Sequence, residues 1–268
     1  MVELEYGRAL LDGLGLHTAA ELLDARLEEA SHTEMTYLCF LSDLLESEQQ
    51  ERKRRSEETR TKFSRLPYLK TLEEFDFTFQ PSIDTRQIKE LSTLAFAHRN
   101  ENVIFLGPPG VGKTHLAVGL AVLALRSGMT VYFTTLPSLI DDLKKAELQG
   151  KLERRWRVYT RPDVLIVDEV GYMQLDRESS ELLFRLICSR YESGSVILTS
   201  NKFFSDWGEL MNDTIIATAI LDRLLHHAHV INIRGGTYRL KDRLKTGVQT
   251  VPPTDIPVTK TDAAVTGA

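Results

Sequence analysis

Residues 107–114 read Gly-Pro-Pro-Gly-Val-Gly-Lys-Thr, between a short apolar run, Val103-Ile104-Phe105-Leu106, and a helical stretch from Lys113 to Arg126 that Gly128 stops. A strand, a glycine-rich turn and a helix in that order leave few folds open. Glycines at 107, 110 and 112 let backbone N–H groups converge on phosphate oxygens, and the helix N-terminus adds its positive dipole. The nucleotide-binding residues expected are therefore Gly107, Pro108, Pro109, Gly110, Val111, Gly112, Lys113, Thr114 and His115. Lys113 is expected to reach the β and γ phosphates of ATP, and the Thr114 hydroxyl to hold Mg2+.

Strand and helix patterns alternate after this point. Val131-Tyr132-Phe133, a helix from about Ser138, Val164-Leu165-Ile166-Val167, a helix from about Glu178 to Tyr191, Val196-Ile197-Leu198, a helix near Ile216 to His226 and Val230–Ile233 follow one another. Continuous apolar strands separated by helices predict an α/β fold, a five-stranded parallel sheet covered by helices on both faces. Two further motifs fall at strand ends, where such sheets bind ligands. Val164–Val167 runs into Asp168-Glu169, which suits a magnesium-holding aspartate and a general base for the attacking water. Val196–Leu198 runs into Thr199-Ser200-Asn201, which places Asn201 to sense the γ phosphate. Arg223, in Leu221-Asp222-Arg223, either pairs on the surface with Asp222 or Glu209 or reaches the ATP site of a neighbouring subunit.

Residues 6 to 60 read as helical. Leu10, Leu14, Leu22, Leu23 and Leu27 recur at helical spacing, as do Tyr37, Leu38, Phe40, Leu41, Leu44 and Leu45, with Thr18 and Thr33 as candidate N-caps. Leu66-Pro67 interrupts the helix, so the expected division is a small all-α N-terminal domain over 1–68, for DNA or partner binding, and an ATPase domain over 69–245. A polar, Pro-containing tail over 246–268 is expected to be disordered. Cys39 and Cys188 lack metal-ligand spacing and are expected to be buried, unpaired thiols. No basic leader precedes an apolar core and no apolar run approaches ~20 residues, so a cytoplasmic location is expected.

The net charge of -5 does not by itself favour nucleic acid, but two basic clusters do. The first holds Arg52, Lys53, Arg54, Arg55, Arg60, Lys62, Arg65 and Lys70, with Phe63 and Tyr68 interleaved. The second holds Lys151, Arg154, Arg155, Arg157 and Arg161 around Trp156, with Lys144 and Lys145 nearby. Either they are solvated helical faces with i,i+4 pairs, or they bind the DNA backbone without reading bases. Phe75, Phe77, Ile83 and Ile88 are assigned either to adenine contacts or to the core.

The ordered set of the phosphate loop, Asp168-Glu169, Thr199-Ser200-Asn201 and Leu221-Asp222-Arg223 resembles the DnaC and DnaA branch of the AAA+ initiator ATPases. Tyr37–Glu46, Phe75-Asp76-Phe77, Asp168–Tyr172, Arg190-Tyr191-Glu192 and Thr199–Lys202 are similar to the IstB family, the transposition helper ATPases of bacterial insertion sequences. The resemblance runs from about residue 8 to 243. It implies an AAA+ P-loop ATPase, acting with ATP and Mg2+, that binds double-stranded DNA. It also implies homo-oligomers with the ATP site at the subunit interface, and assistance to a partner transposase. By position it assigns Lys113, Asp168, Glu169, Asn201 as sensor and Arg223 as finger. A DnaC-like replicative helicase loader is the alternative. No sizeable C-terminal lid follows Ile233, and Arg239 is a weak substitute for a second sensor.

Overall fold

The computed structural model describes residues 2–238; the tail expected over 246–268 lies outside the described residues, as does Arg239. Three helices open the chain, α1 (Val2–Gly13), α2 (His17–His32) and α3 (Tyr37–Phe63). Their apolar centre is small. Ala19, Leu23 and Leu44 are buried, with Leu11, Leu16 and Phe40 packed against them, whereas Leu10, Leu14, Leu38, Leu41 and Leu45 are exposed. A polar clasp supplements it. The buried Glu48 carboxylate accepts from the Ala19 N–H at 3.0 Å and from Arg52 Nε at 2.7 Å, and Arg52 also donates to the Gly15 carbonyl at 2.6 Å.

Expectations for the helix caps and for both cysteines are corrected. Thr18 lies inside α2, which has no side-chain N-cap, and Thr33 follows the end of that helix. The Thr33 hydroxyl donates back to the Glu29 carbonyl, so Thr36 caps α3 instead, accepting from the Cys39 N–H. Cys39 is exposed and Cys188 half-buried. Five residues before Leu44, Cys39 points ~140° away from the buried face of α3.

At 27 residues α3 spans ~40 Å, and its last turns pack on the next part of the chain. Arg60 donates to the Leu125 carbonyl at 3.1 Å, and the Ser64 carbonyl accepts from the Phe133 N–H at 2.7 Å. That contact covers the edge of the sheet that would otherwise present unpaired strand groups.

The remaining elements are α4 (Thr85–Ser92), α5 (Ala95–His98), β1 (Asn102–Leu106), α6 (Lys113–Arg126), β2 (Val131–Thr135), α7 (Leu136–Leu148), α8 (Leu152–Thr160), β3 (Val164–Val170), α9 (Arg177–Arg190), β4 (Ser195–Ser200), α10 (Trp207–Leu210), α11 (Thr214–His226) and β5 (Ala228–Asn232). The strands form one parallel five-stranded sheet in the order β2-β3-β4-β1-β5. Strand side chains alternate between faces, and both faces are covered. Val103 and Phe105 pack with Leu91, Phe96 and the apolar side of α6. Ile104 and Leu106 pack with Leu139, Leu186, Trp207 and Ile220 on the other side. β1, β3 and β4 thus carry continuous apolar runs, and the carboxyl ends of the strands open on one shared edge of the molecule. No helix among the described residues is long and apolar enough to cross a membrane.

Candidate functional site

The loop between β1 and α6 follows from its glycines. Gly112 has φ +99°, and a Cβ there would lie 2.5 Å from the Phe75 ring; Gly110 has φ +82°, and a Cβ there would lie 2.0 Å from Thr237 Oγ1. Only glycine fits both the backbone and the space. Phe75 closes the loop from one side, and the segment after β5 crosses it from the other, where the Tyr238 N–H donates to the Gly110 carbonyl at 2.8 Å. Lys113, 6% exposed, donates to the Gly107 and Pro108 carbonyls at 2.7 and 2.9 Å. His115 contacts the Thr71 carbonyl at 2.9 Å and meets the Phe75 ring edge-on.

Thr114, on the first turn of α6, donates to both Asp168 oxygens at 3.0 and 3.1 Å. Asp168 is buried, whereas the next residue, Glu169, is exposed. A bulge produces that contrast. Val167 pairs with Leu198 and Val170 with Ser200, so β3 carries one extra residue against β4. Glu169 takes up the irregularity at φ +62°, a left-handed conformation costly for a side chain of this size. Bulges re-aim side chains, and this one turns Glu169 into the cleft beside Lys113 and Thr114. Thr199, 1% exposed, fills the bulge. Its hydroxyl accepts from the Glu169 N–H at 3.2 Å and donates to Asp168 Oδ1.

The cleft so formed has about 970 Å³ of empty volume open to solvent, which suits a nucleotide. Lining it are the loop residues Gly110–His115, Asp168, Glu169 and Thr199, with aromatic walls from Phe75, Tyr68, Tyr172 and Tyr238. Of the residues assigned to adenine or core, Ile83 and Ile88 are core, Phe77 packs at its margin and Phe75 reaches the cleft. The chemistry of the donors fits the expected ligands. A hydroxyl and a carboxylate at 3.0 Å are hard oxygen ligands of the kind Mg2+ takes, and the loop amides and Lys113 suit phosphate.

Asn201 lies past β4 and outside the cleft lining. Its buried Oδ1 has no hydrogen-bond partner among the described residues and rests where a Cβ on Gly171 would meet it at 2.5 Å. Arg223 sits near the opposite end of the sheet. The Leu224 carbonyl beside it accepts from Asn102 Nδ2 at the start of β1, whereas the phosphate loop follows the end of that strand, ~16 Å away. Arg223 itself donates to the Ala219 carbonyl and lies over the Phe184 ring at 5.1 Å.

The basic residues divide. Arg52 serves the Glu48 clasp, Arg54 pairs with Glu51 and Glu58, Arg55 with Glu51, and Arg60 bonds to Leu125. Arg155 pairs with Asp142, and Lys144 with Asp176 and Glu178. Lys53, Lys62, Lys145, Lys151, Arg154 and Arg157 are exposed and have no ion pair among the described residues. Exposed Arg65 lies over the Tyr132 ring. Folding brings the ends of the two clusters together: Phe63, at the end of α3, shares a groove with Arg154, Arg157 and Arg161 on and just after α8. Among the residues the sequence reading missed, Thr199 stood in the quoted Thr-Ser-Asn motif without a role, and Tyr238 was given none.

Known proteins share this fold. Replication initiator DnaA, bound to AMPPCP and single-stranded DNA, superposes with a TM-score of 0.55 at 19% identity, over 68% of this chain and 56% of that one. DnaI superposes at 0.51 and 19% identity over 66% of this chain and 92% of its own. These likenesses concern the fold. In sequence, the insertion sequence IS21 ATP-binding protein of Pseudomonas aeruginosa is 50% identical over 256 residues, 96% of either chain. The IS5376 ATP-binding protein of Geobacillus stearothermophilus is 49% identical over 86% of this chain and 92% of that protein. The profile of the family described as IstB-like ATP binding protein matches residues 9–246. With its phosphate loop, acidic strand end and parallel sheet in place, the chain belongs to the IstB-like ATP-binding protein family.

Proposed function

We propose that this protein hydrolyses ATP and uses the cycle to control its assembly on double-stranded DNA, where it assists a partner transposase. The observation that carries the hydrolytic part is the bulge at Glu169, which separates a buried, hydroxyl-held Asp168 from an exposed carboxylate one residue on. Glu169 would take a proton from water as that oxygen bonds to the γ phosphorus and the bond to the ADP oxygen breaks. Thr114 and Asp168 would hold Mg2+, which would offset phosphate charge, and Lys113 would leave its two carbonyls for the phosphates. Asn201, with its unpartnered Oδ1 against the Gly171 turn, would report changes at that turn.

Arg223 supports assembly, since it lies remote from its own phosphate loop and would reach phosphates held at a neighbour's. The groove between α3 and α8 supports DNA binding, because it joins an exposed aromatic ring to three guanidinium groups. Both relatives named above belong to insertion sequences, which favours transposition over helicase loading. The test is phosphate release with and without DNA, alongside nucleotide affinity. Lys113→Ala should lose ATP binding, while Glu169→Gln should keep it and hydrolyse at least ~100-fold more slowly. Undiminished hydrolysis by Glu169→Gln overturns the assignment.

A further inference from the structure

We propose that Glu192, His226 and His227 form a binding site for a divalent transition-metal ion, with Zn2+ as the probe. One ligand atom from each lies within 4.8 Å of the others. A tetrahedral ion with bonds of ~2.1 Å needs ligand atoms ~3.4 Å apart, and rotation of these exposed side chains closes the difference. Two imidazoles and a carboxylate select Zn2+, Ni2+ or Co2+ over the all-oxygen preference of Mg2+, so this site and the Thr114–Asp168 pair would take different ions.

The backbone beneath the cluster is fixed. Glu192 stands in the turn after α9 at φ +57°, and its carbonyl accepts from Asn100 Nδ2 at 3.0 Å. The His227 carbonyl accepts from the Asn102 N–H at 2.7 Å. One short stretch, from Asn100 to the first residue of β1, therefore anchors ligands from two distant segments. The His226 ring also has the outer contact that metal-binding histidines use: its Nδ1 lies 2.7 Å from the Tyr191 hydroxyl. When Nδ1 donates there, Nε2 keeps its lone pair for the ion.

The consequence reaches Arg223. His226 lies one turn further along α11, and Phe184, under the Arg223 guanidinium, belongs to α9. An ion joining the turn after α9 to the end of α11 would tie together the two helices that position the arginine.

The test is calorimetric titration of the full chain with Zn2+ in excess Mg2+, which occupies the other site. One equivalent should bind, and Glu192→Gln and His227→Asn should each weaken binding by about tenfold or more. Tyr191→Phe, which leaves all three ligands in place, should weaken it by about tenfold. Nucleotide binding, read in parallel, shows that each variant is folded. Co2+ should give tetrahedral ligand-field absorption in the parent protein and not in Glu192→Gln. Equal Zn2+ affinity in parent and variants, or loss of binding only with Cys39→Ser or Cys188→Ser, overturns the proposal.

Discussion

The Thr199 hydroxyl donates to Asp168 Oδ1, and the Thr114 hydroxyl donates to the same carboxylate from the other side. One acid is thus held by groups from β4 and α6, and the Glu169 N–H leans on the first of them. Thr199→Val keeps the volume and removes the hydrogen bonds. Hydrolysis should fall about 10–100-fold with nucleotide affinity nearly unchanged, and Thr199→Ser should restore it. Steady-state phosphate release beside equilibrium nucleotide binding checks this; parent-like turnover in the valine variant would contradict it.

Arg223→Ala should bind ATP as the parent does and lose about a thousandfold or more of the assembly-dependent rate. Mixing decides whether the residue acts across subunits. Arg223→Ala retains its own Glu169, and Glu169→Gln retains its own Arg223, so a mixture should regain activity that neither has alone. A mixture no better than the sum of its parts would return Arg223 to a structural role on Phe184.

Charge in the groove should set the salt response of DNA binding. Arg157→Ala should lower the slope of log affinity against log salt by about one and weaken binding to unrelated DNA sequences alike. Arg54→Ala should leave that slope unchanged, because Arg54 is engaged by Glu51 and Glu58. Fluorescence anisotropy across a salt series reads both.

Acid should loosen the N-terminal helices before the sheet. Burial alone would raise the Glu48 carboxyl, but the hydrogen bonds from Ala19 and Arg52 outweigh it and hold its pKa below the ordinary range. A depressed acid contributes stability above its unfolded value of about 4.3, and that contribution is lost as pH falls through the lower folded value. Glu48→Ala should therefore destabilise α2 and α3 by roughly 1.5–3 kcal/mol near neutral pH, and the difference from the parent should shrink as pH falls below the unfolded value. Hydrogen exchange at Ala19, Ala20 and Leu23 resolves this region from the rest.

The sheet was legible because parallel strands buried on both faces are continuous apolar runs, and β1, β3 and β4 lie where those runs stand. The phosphate loop was legible because its glycines are required by backbone angle and close approach. The polar α8 was not, since its basic residues read as charge before they read as helix. Thr199 escaped because its role depends on an extra residue in the neighbouring strand, a register fact that no local pattern encodes. In the first basic cluster the i,i+4 pairing offered by the sequence holds for Arg54 and Arg55, which face Glu51 and Glu58. That cluster's convergence with α8 needed the fold.

The continuity of α3 has a mechanical meaning. Ser64 and Arg60 clamp one end of this rod to the sheet and to α6, with no slack chain between the clamp and the first two helices. Those helices pack along α3 between Leu44 and Arg52, ~12–24 Å from Arg60, so a tilt of about 5° at the clamped root moves them by roughly 1–2 Å. A rearrangement beside the phosphate loop that reached the far end of α6 would thereby be passed along α3 to the first two helices.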